Sequence, residues 1–301
     1  MTNYEFREKL MEELRNRMPG VAISPCDIKE NNAVTFFCIE IKDGSHITPY
    51  IYTEGLYCDY QYGSKSMREI VDSILRYVQE SKDMGYFDSS KNFGHLLSEI
   101  FDYSKTRFKL AGRLVNTGKN RIALAEMPHR EFLDLSIIYF VDVPHDDGNG
   151  CMSIRVTNKL MAQWDMSEDR LYEQVMENME QGEKGMLWHI SEVLRDTPYY
   201  GPDIMNVQMY ICSNKMRLNG AVEILDKKVM EKAGERLKDD FYILPSSVHE
   251  VILIPISAGG TADGLATNVQ IVNDSEVNPT EILSYHVYRY YRESQKIEIV
   301  E

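Results

Sequence analysis

The chain has 301 residues, 43% of them apolar and 27% charged, and should bury roughly 70–75% of its unfolded surface without a disulfide or metal staple. Its 47 acidic against 33 basic residues give a formal charge of −14, which repels a phosphate backbone and, with no basic stripe to oppose it, argues against nucleic acid. An opening interrupted by Glu5, Arg7, Glu8, Lys9, Glu12 and Glu13 predicts neither a signal peptide nor a membrane span, so the cytoplasm is the expected compartment.

Phe6, Leu10, Leu14 and Met18 recur at a helical period, predicting a helix over Tyr4 to Met18 that Pro19-Gly20 stops. A turn is expected next, then a strand over Ala33 to Ile41 and an edge strand over Ile47 to Tyr52, where Pro49 denies a central place. Glu54 to Tyr60 and Ser66 to Gln79 read as helices, with Ser66 and Glu69 spaced as a capping box. Ser81 to Asn92 reads as a long connection.

Phe108 to Val115 predicts a strand and Asn120 to Met127 a short helix. Leu133 to Val143 and Cys151 to Thr157 predict an antiparallel hairpin turned at Asp146-Asp147-Gly148-Asn149-Gly150; that turn lacks the spacing and terminal glutamate of a calcium loop. Helices follow over Leu160 to Trp164, from Ser167 to about Met179, and over Met186 to Leu194, with the methionines as core residues. Val207 to Cys212 predicts a strand, and Leu218 to Leu225 and Lys228 to Leu237 predict helices. Phe241 to Leu244 and Val251 to Ile256 predict strands, Leu265 to Val272 a helix, and Tyr285 to Val300 a terminal hairpin. Short antiparallel connections among helices indicate an α+β fold with mixed or mainly antiparallel sheets. A division near Thr157 is expected, with a helical and strand region over 1–157 and an α+β region over 158–301, unless the two are continuous.

Several segments in this order, Ile47-Thr48-Pro49-Tyr50-Ile51-Tyr52, Met127 to Leu135, Ile154 to Trp164 and Tyr242 to Val251, resemble an uncharacterised bacterial family, a domain of unknown function common in gut clostridia. The resemblance covers nearly the full chain and implies a soluble cytoplasmic bacterial protein. It carries no catalytic role to any residue.

The polar joint between two apolar strands, Ser246, Ser247, His249 and Glu250, holds the residue types of a nucleophile, a base and an orienting carboxylate. Strand alternation sends His249 and Glu250 to opposite faces, and no Gly-x-Ser-x-Gly elbow is present, so a capped turn behind Pro245 is the favoured reading. His129 offers a second acid or base, beside Arg130 as a carboxylate or phosphate ligand or as an ion-pair partner of a nearby acid. Asn214, Lys215, Arg217 and Asn219, after a strand and before a helix, outline an anion site without the glycine-rich phosphate loop. Gly259-Gly260-Thr261 is too short to establish nucleotide binding. Cys26, Cys38, Cys58, Cys151 and Cys212 lack zinc or iron–sulfur spacing and read as reduced thiols, so no metal and no cofactor is expected. Tyr199-Tyr200, Tyr285, Tyr288, Tyr290 and Tyr291 offer contact surfaces.

The expected function is a protein- or peptide-binding or regulatory module with a basic partner, and with neither nucleic acid nor membrane as partner. The alternatives are a metal-independent hydrolase or group-transfer enzyme built on serine, histidine and carboxylate, and a structural oligomer whose subunit count the sequence leaves open.

Overall fold

The computed structural model describes residues 1–42, 50–83, 98–144, 151–182, 185–194, 208–258 and 260–301, and the chain forms two units, Met1–Glu99 and Ile100–Glu301. The turn at 146–150, the Tyr199-Tyr200 loop, Gly259, most of the 81–92 connection and His46, His95 and His145 lie outside the described residues.

In the first unit, helix α1 (Asn3–Arg17) begins on a capping box in which Thr2 and Glu5 satisfy each other's backbone N–H groups. Its apolar stripe, Phe6, Leu10, Met11 and Leu14, is buried against one face of a three-stranded antiparallel sheet of β1 (Ala22–Lys29), β2 (Thr35–Lys42) and β3 (Tyr50–Tyr52). That face supplies Ile23, Ile39, Ile41 and Ile51. Helix α2 (Glu54–Gln61) follows, and helix α3 (Met67–Asp83) adds Ile70, Val71, Ile74 and Val78 to the same core. The expected box at its start is made: Glu69 N–H donates to Ser66 Oγ at 3.3 Å, and Ser66 N–H to Glu69 Oε2 at 2.8 Å.

β1 occupies a segment expected to be a turn. Proline in a strand is the reason it reads poorly, and register shows why it is tolerated. Glu30 N–H donates to the Val34 carbonyl at 2.8 Å, so even-numbered residues of β1 face their β2 partners with backbone groups and Pro25 faces the open edge. Arg15 caps that edge, donating from its guanidinium to the Ile23 carbonyl at 2.7 Å.

The second unit holds two sheets in which all strand pairs are antiparallel. In the smaller, β6 (Leu135–Pro144) is central, with β4 (Leu110–Asn116) along one side and β5 (His129–Phe132) and β7 (Cys151–Arg155) end to end along the other. Helices α4 (Thr117–Leu124), α5 (Asn158–Gln163) and α6 (Glu168–Gly182) accompany it. In the larger, six strands run in the order β13-β12-β10-β11-β9-β8. They are β8 (Gly185–His189), β9 (Tyr210–Asn214), β10 (Phe241–Leu244), β11 (Val251–Pro255), β12 (Tyr288–Tyr291) and β13 (Lys296–Ile299), with helices α7 (Lys227–Leu237) and α8 (Ala262–Ser275).

The α+β class expected from the sequence is the fold observed. The units part at Glu99, and Thr157 lies inside the second, where Val156 N–H donates to the Tyr139 carbonyl and Asn158 N–H to the Glu126 carbonyl. Met186 to Leu194, expected as a helix, is the edge strand β8 followed by one helical turn at Ile190–Val193. Pairing with β9 decides this, placing Leu187 opposite the buried Cys212. Among the described residues no helix is long and apolar enough to cross a membrane.

Candidate functional site

The 245–250 joint leaves β10 as an extended segment and pairs with residues 281–284. Ser284 N–H donates to the Pro245 carbonyl at 2.9 Å, Leu283 N–H to the Ser246 carbonyl at 3.1 Å, and Val248 N–H to the Glu281 carbonyl at 2.8 Å. Ser247 Oγ accepts the His249 backbone N–H at 3.1 Å, a local serine turn. The other side of the joint meets the loop after β9. The His249 carbonyl accepts from Ser213 Oγ at 2.6 Å and from Gly220 N–H at 3.0 Å, and the Val248 carbonyl accepts from Ala221 N–H at 3.2 Å.

Two residues of the sequence candidates therefore meet, His249 and Asn219. Asn219, held at φ 54°, donates its backbone N–H to His249 Nδ1 at 3.1 Å. That bond makes Nδ1 the acceptor and leaves the proton of the neutral ring on Nε2, which lies 3.6 Å from Glu281 Oε1. Asn214 closes the loop, accepting from Leu218 N–H at 3.2 Å and donating to the Leu218 carbonyl at 2.8 Å. Arg217 lays its guanidinium over the Trp188 ring at 4.7 Å, and Lys215 is exposed.

This geometry departs from both chemical expectations. The hydrolase reading needs a serine hydroxyl bonded to the imidazole, and among the described residues none bonds to the His249 ring: Ser247 holds the backbone instead, and Ser246 is engaged through its carbonyl. The carboxylate beside the ring is Glu281, distant in sequence, rather than Glu250. The anion reading needs open backbone donors at the start of the Gly220–Leu225 turn. Those of Asn219, Gly220 and Ala221 are all consumed by the joint.

His129 and Arg130 alternate on β5. His129 Nδ1 donates to the Met127 carbonyl at 3.0 Å. Arg130 meets both Glu168 oxygens, at 2.8 Å for the closest approach, also bonds Asp169, and lies over the Tyr172 ring at 4.1 Å. Both acids sit in the first turn of α6, where the helix dipole favours negative charge. The buried Tyr139 hydroxyl donates to Glu168 as well; burial first, then that carboxylate, raises its pKa well above the ordinary phenol value. Arg130 is thus a structural clamp on α6.

A third cluster had no local sequence signal. Asp134, at the start of β6, accepts from Ser284 Oγ at 2.7 Å and from the Tyr288 hydroxyl. Ser284 and Tyr288 are both buried, and burial followed by the Asp134 charge pushes the Tyr288 pKa up. Asn116 Nδ2 reinforces the link by donating to the Leu283 carbonyl at 3.1 Å. The cluster ties the smaller sheet to the larger.

Tyr288 and Tyr290, expected as contact surface, belong to the core. Among the described residues the exposed tyrosines are Tyr4, Tyr50, Tyr52, Tyr62 and Tyr77, all in the first unit. Tyr50 and Tyr52 are 44% and 45% exposed on the sheet face opposite the isoleucine core. They share it with Phe36, which meets Tyr52 edge to face at 5.4 Å, and with Cys26 and Cys38. Carboxylates line it: Tyr52 donates to Glu30 Oε1 at 2.9 Å, and Glu40 takes Lys42 at 2.8 Å and Tyr50 at 3.5 Å. Burial and the Glu30 bond push the Tyr52 phenol up to about 12. The sequence places Tyr50 and Tyr52 on an edge strand, but their pairing with Glu40 and Glu30 requires the register of all three strands.

Among the described residues no group of three or more His, Cys, Asp or Glu side chains is placed to hold a metal ion. No curated protein and no solved structure matches the chain. A family model does match, over residues 3–292 and so through both units, and the chain accordingly belongs to DUF5688, a family of unknown function.

Proposed function

We propose that the protein is a binding module that takes a basic segment of a partner protein on the outer face of its N-terminal sheet. The observation carrying this reading is the company of the exposed Tyr50 and Tyr52 and of Phe36 with Glu30 and Glu40 on the face opposite the isoleucine core. A guanidinium or ammonium group over a tyrosine ring gains from the ring's negative face, and a carboxylate at the ring's edge completes the charge match. The formal charge of −14 steers such a partner toward the protein.

The test uses labelled peptides of alternating arginine and apolar residues, with matched peptides carrying glutamate for arginine, in fluorescence anisotropy titrations. The basic set binds, more weakly as salt rises. Tyr52→Ala and Glu30→Gln each weaken binding by about tenfold, the worth of a partly desolvated cation–ring or charge contact. Equal binding of the two peptide sets, or unchanged binding to both variants, overturns the reading.

A further inference from the structure

Cys26 and Cys38 stand directly opposite each other on β1 and β2, although the sequence separates them by a hairpin. Register fixes their spacing. Glu30 and Val34 form a hydrogen-bonded pair at the end of this hairpin, and two steps of two residues carry the same pairing to Cys26 and Cys38. Hydrogen-bonded pairs hold their Cα atoms about 5.5 Å apart, inside the roughly 4.4–6.8 Å that a disulfide spans. Opposed residues also send their side chains to the same face, and Cys38 Sγ donates to the Phe36 carbonyl at 3.8 Å. Both are reduced. Cys26 is half-buried, and Cys38 is 0% exposed.

We propose that Cys26 and Cys38 are a redox-active dithiol that closes to an intramolecular disulfide by exchange with a small-molecule disulfide such as oxidised glutathione. Cys26 is the entry sulfur because it alone of the pair reaches solvent. Its thiolate, having given its proton to water, attacks one glutathione sulfur; the S–S bond breaks and the first glutathione leaves as thiolate and is protonated. Cys38 attacks Cys26 Sγ, the Cys26–glutathione S–S bond breaks, and the Cys38 proton passes to the departing sulfur, which leaves as the second glutathione thiol. Two protein thiols are oxidised and one glutathione disulfide is reduced to two glutathione molecules. Cys38 never needs to meet solvent, so its burial protects the resolving step from adduct formation. Burial holds both thiols above their ordinary range, Cys38 at about 11. Closure is therefore slow at neutral pH and quickens with the thiolate fraction. The inference stands apart from peptide binding, since its readout is covalent.

The experiment uses the full chain carrying Cys58→Ser, which removes an exposed competing thiol. The protein is incubated with oxidised glutathione, quenched with acid and alkylating agent, and mapped by peptide mass. The expected product is a Cys26–Cys38 bond without a lasting adduct, formed about tenfold faster per pH unit between about pH 7 and about pH 9. Cys38→Ala stops at a glutathione adduct on Cys26, and Cys26→Ser yields neither species. A glutathione adduct that persists on Cys26 while Cys38 is present overturns the proposal. So does an unmodified Cys26 after prolonged exposure at the highest pH. Both of these readouts come from the Cys58→Ser chain itself and hold whether or not Cys38→Ala folds.

Discussion

Gly220→Ala should be among the most damaging single-methyl additions to this chain. A Cβ at that position would lie 2.2 Å from Ser213 Oγ, 2.4 Å from the Asn214 nitrogen and 2.9 Å from the His249 carbonyl oxygen. Two of those atoms are backbone, so no side-chain rotation relieves the contact. The loop must instead withdraw from the joint, loosening the bonds from Asn219, Gly220 and Ala221 to His249 and Val248. Overpacking costs about 1–3 kcal/mol and each lost bond about 1 kcal/mol, and because these losses are coupled the total is about 3–5 kcal/mol. For a unit of this size that lowers Tm by about 10 °C. Gly118→Ala is the matched control: its nearest atom is Asn116 Oδ1 at 3.5 Å, an ordinary contact, and the added methyl should stabilise helix α4 by about 0.5–1 kcal/mol. Calorimetry and urea unfolding of the two variants decide the matter. A Gly220→Ala protein within about 0.5 kcal/mol of the parent would refute the close approach of loop and joint, since overpacking alone costs more.

Tyr139 and Tyr288 are held protonated by burial and then by Glu168 and Asp134, which raises both above the ordinary value of 10.0. Below about pH 10 the folded and unfolded chains both keep these protons and stability is full; above it only the unfolded chain ionises, so stability falls by about 1.4 kcal/mol per pH unit per tyrosine. Urea midpoints measured from about pH 8 to about pH 11 should show this slope flattened in the Tyr139→Phe, Tyr288→Phe double variant, and an unchanged slope would count against the assignment. Arg130→Lys keeps the charge but loses the fork that grips both Glu168 oxygens, and should cost about 1–2 kcal/mol in urea unfolding. If lysine proves neutral there, the clamp on α6 is not a stabilising one.

Much of the fold can be read locally. Helix α1 announces itself by the spacing of Phe6, Leu10 and Leu14, and α3 by the Ser66 and Glu69 cap, because both signals complete themselves within a few residues. β1 and β8 escape this reading for different reasons. In β1 the usual strand formers are sparse and Pro25 looks prohibitive until its nitrogen, which carries no hydrogen, is known to face the open edge. In β8 the run Met186-Leu187-Trp188 fits a helix as well as a strand, and only Cys212, contributed by β9, settles which. Division at Glu99 rather than Thr157 is likewise invisible locally, because what binds the chain across 157 is hydrogen bonding to Tyr139 and Glu126.

The polar residues obey the same rule with larger consequences. Ser247 and His249 look alike in sequence whether they face each other or the backbone; Ser247 Oγ accepts the His249 N–H, and the His249 ring is engaged by Asn219, about 30 residues upstream. Tyrosine divides in the same way. Tyr139 ends on Glu168, 29 residues away, and Tyr288 on Asp134, 154 residues away, so each buried hydroxyl is matched by a carboxylate that cannot be found from the neighbouring letters. Those acids and phenols are committed to holding the second unit together. Tyr50 and Tyr52 also touch carboxylates, yet they remain close to half exposed, so a cation can approach both ring and acid without first dismantling a core. The cost of recruiting an aromatic–acid pair to a partner is lowest where the pair is already at the surface. That difference in cost directs the binding hypothesis to the first unit and away from the joint.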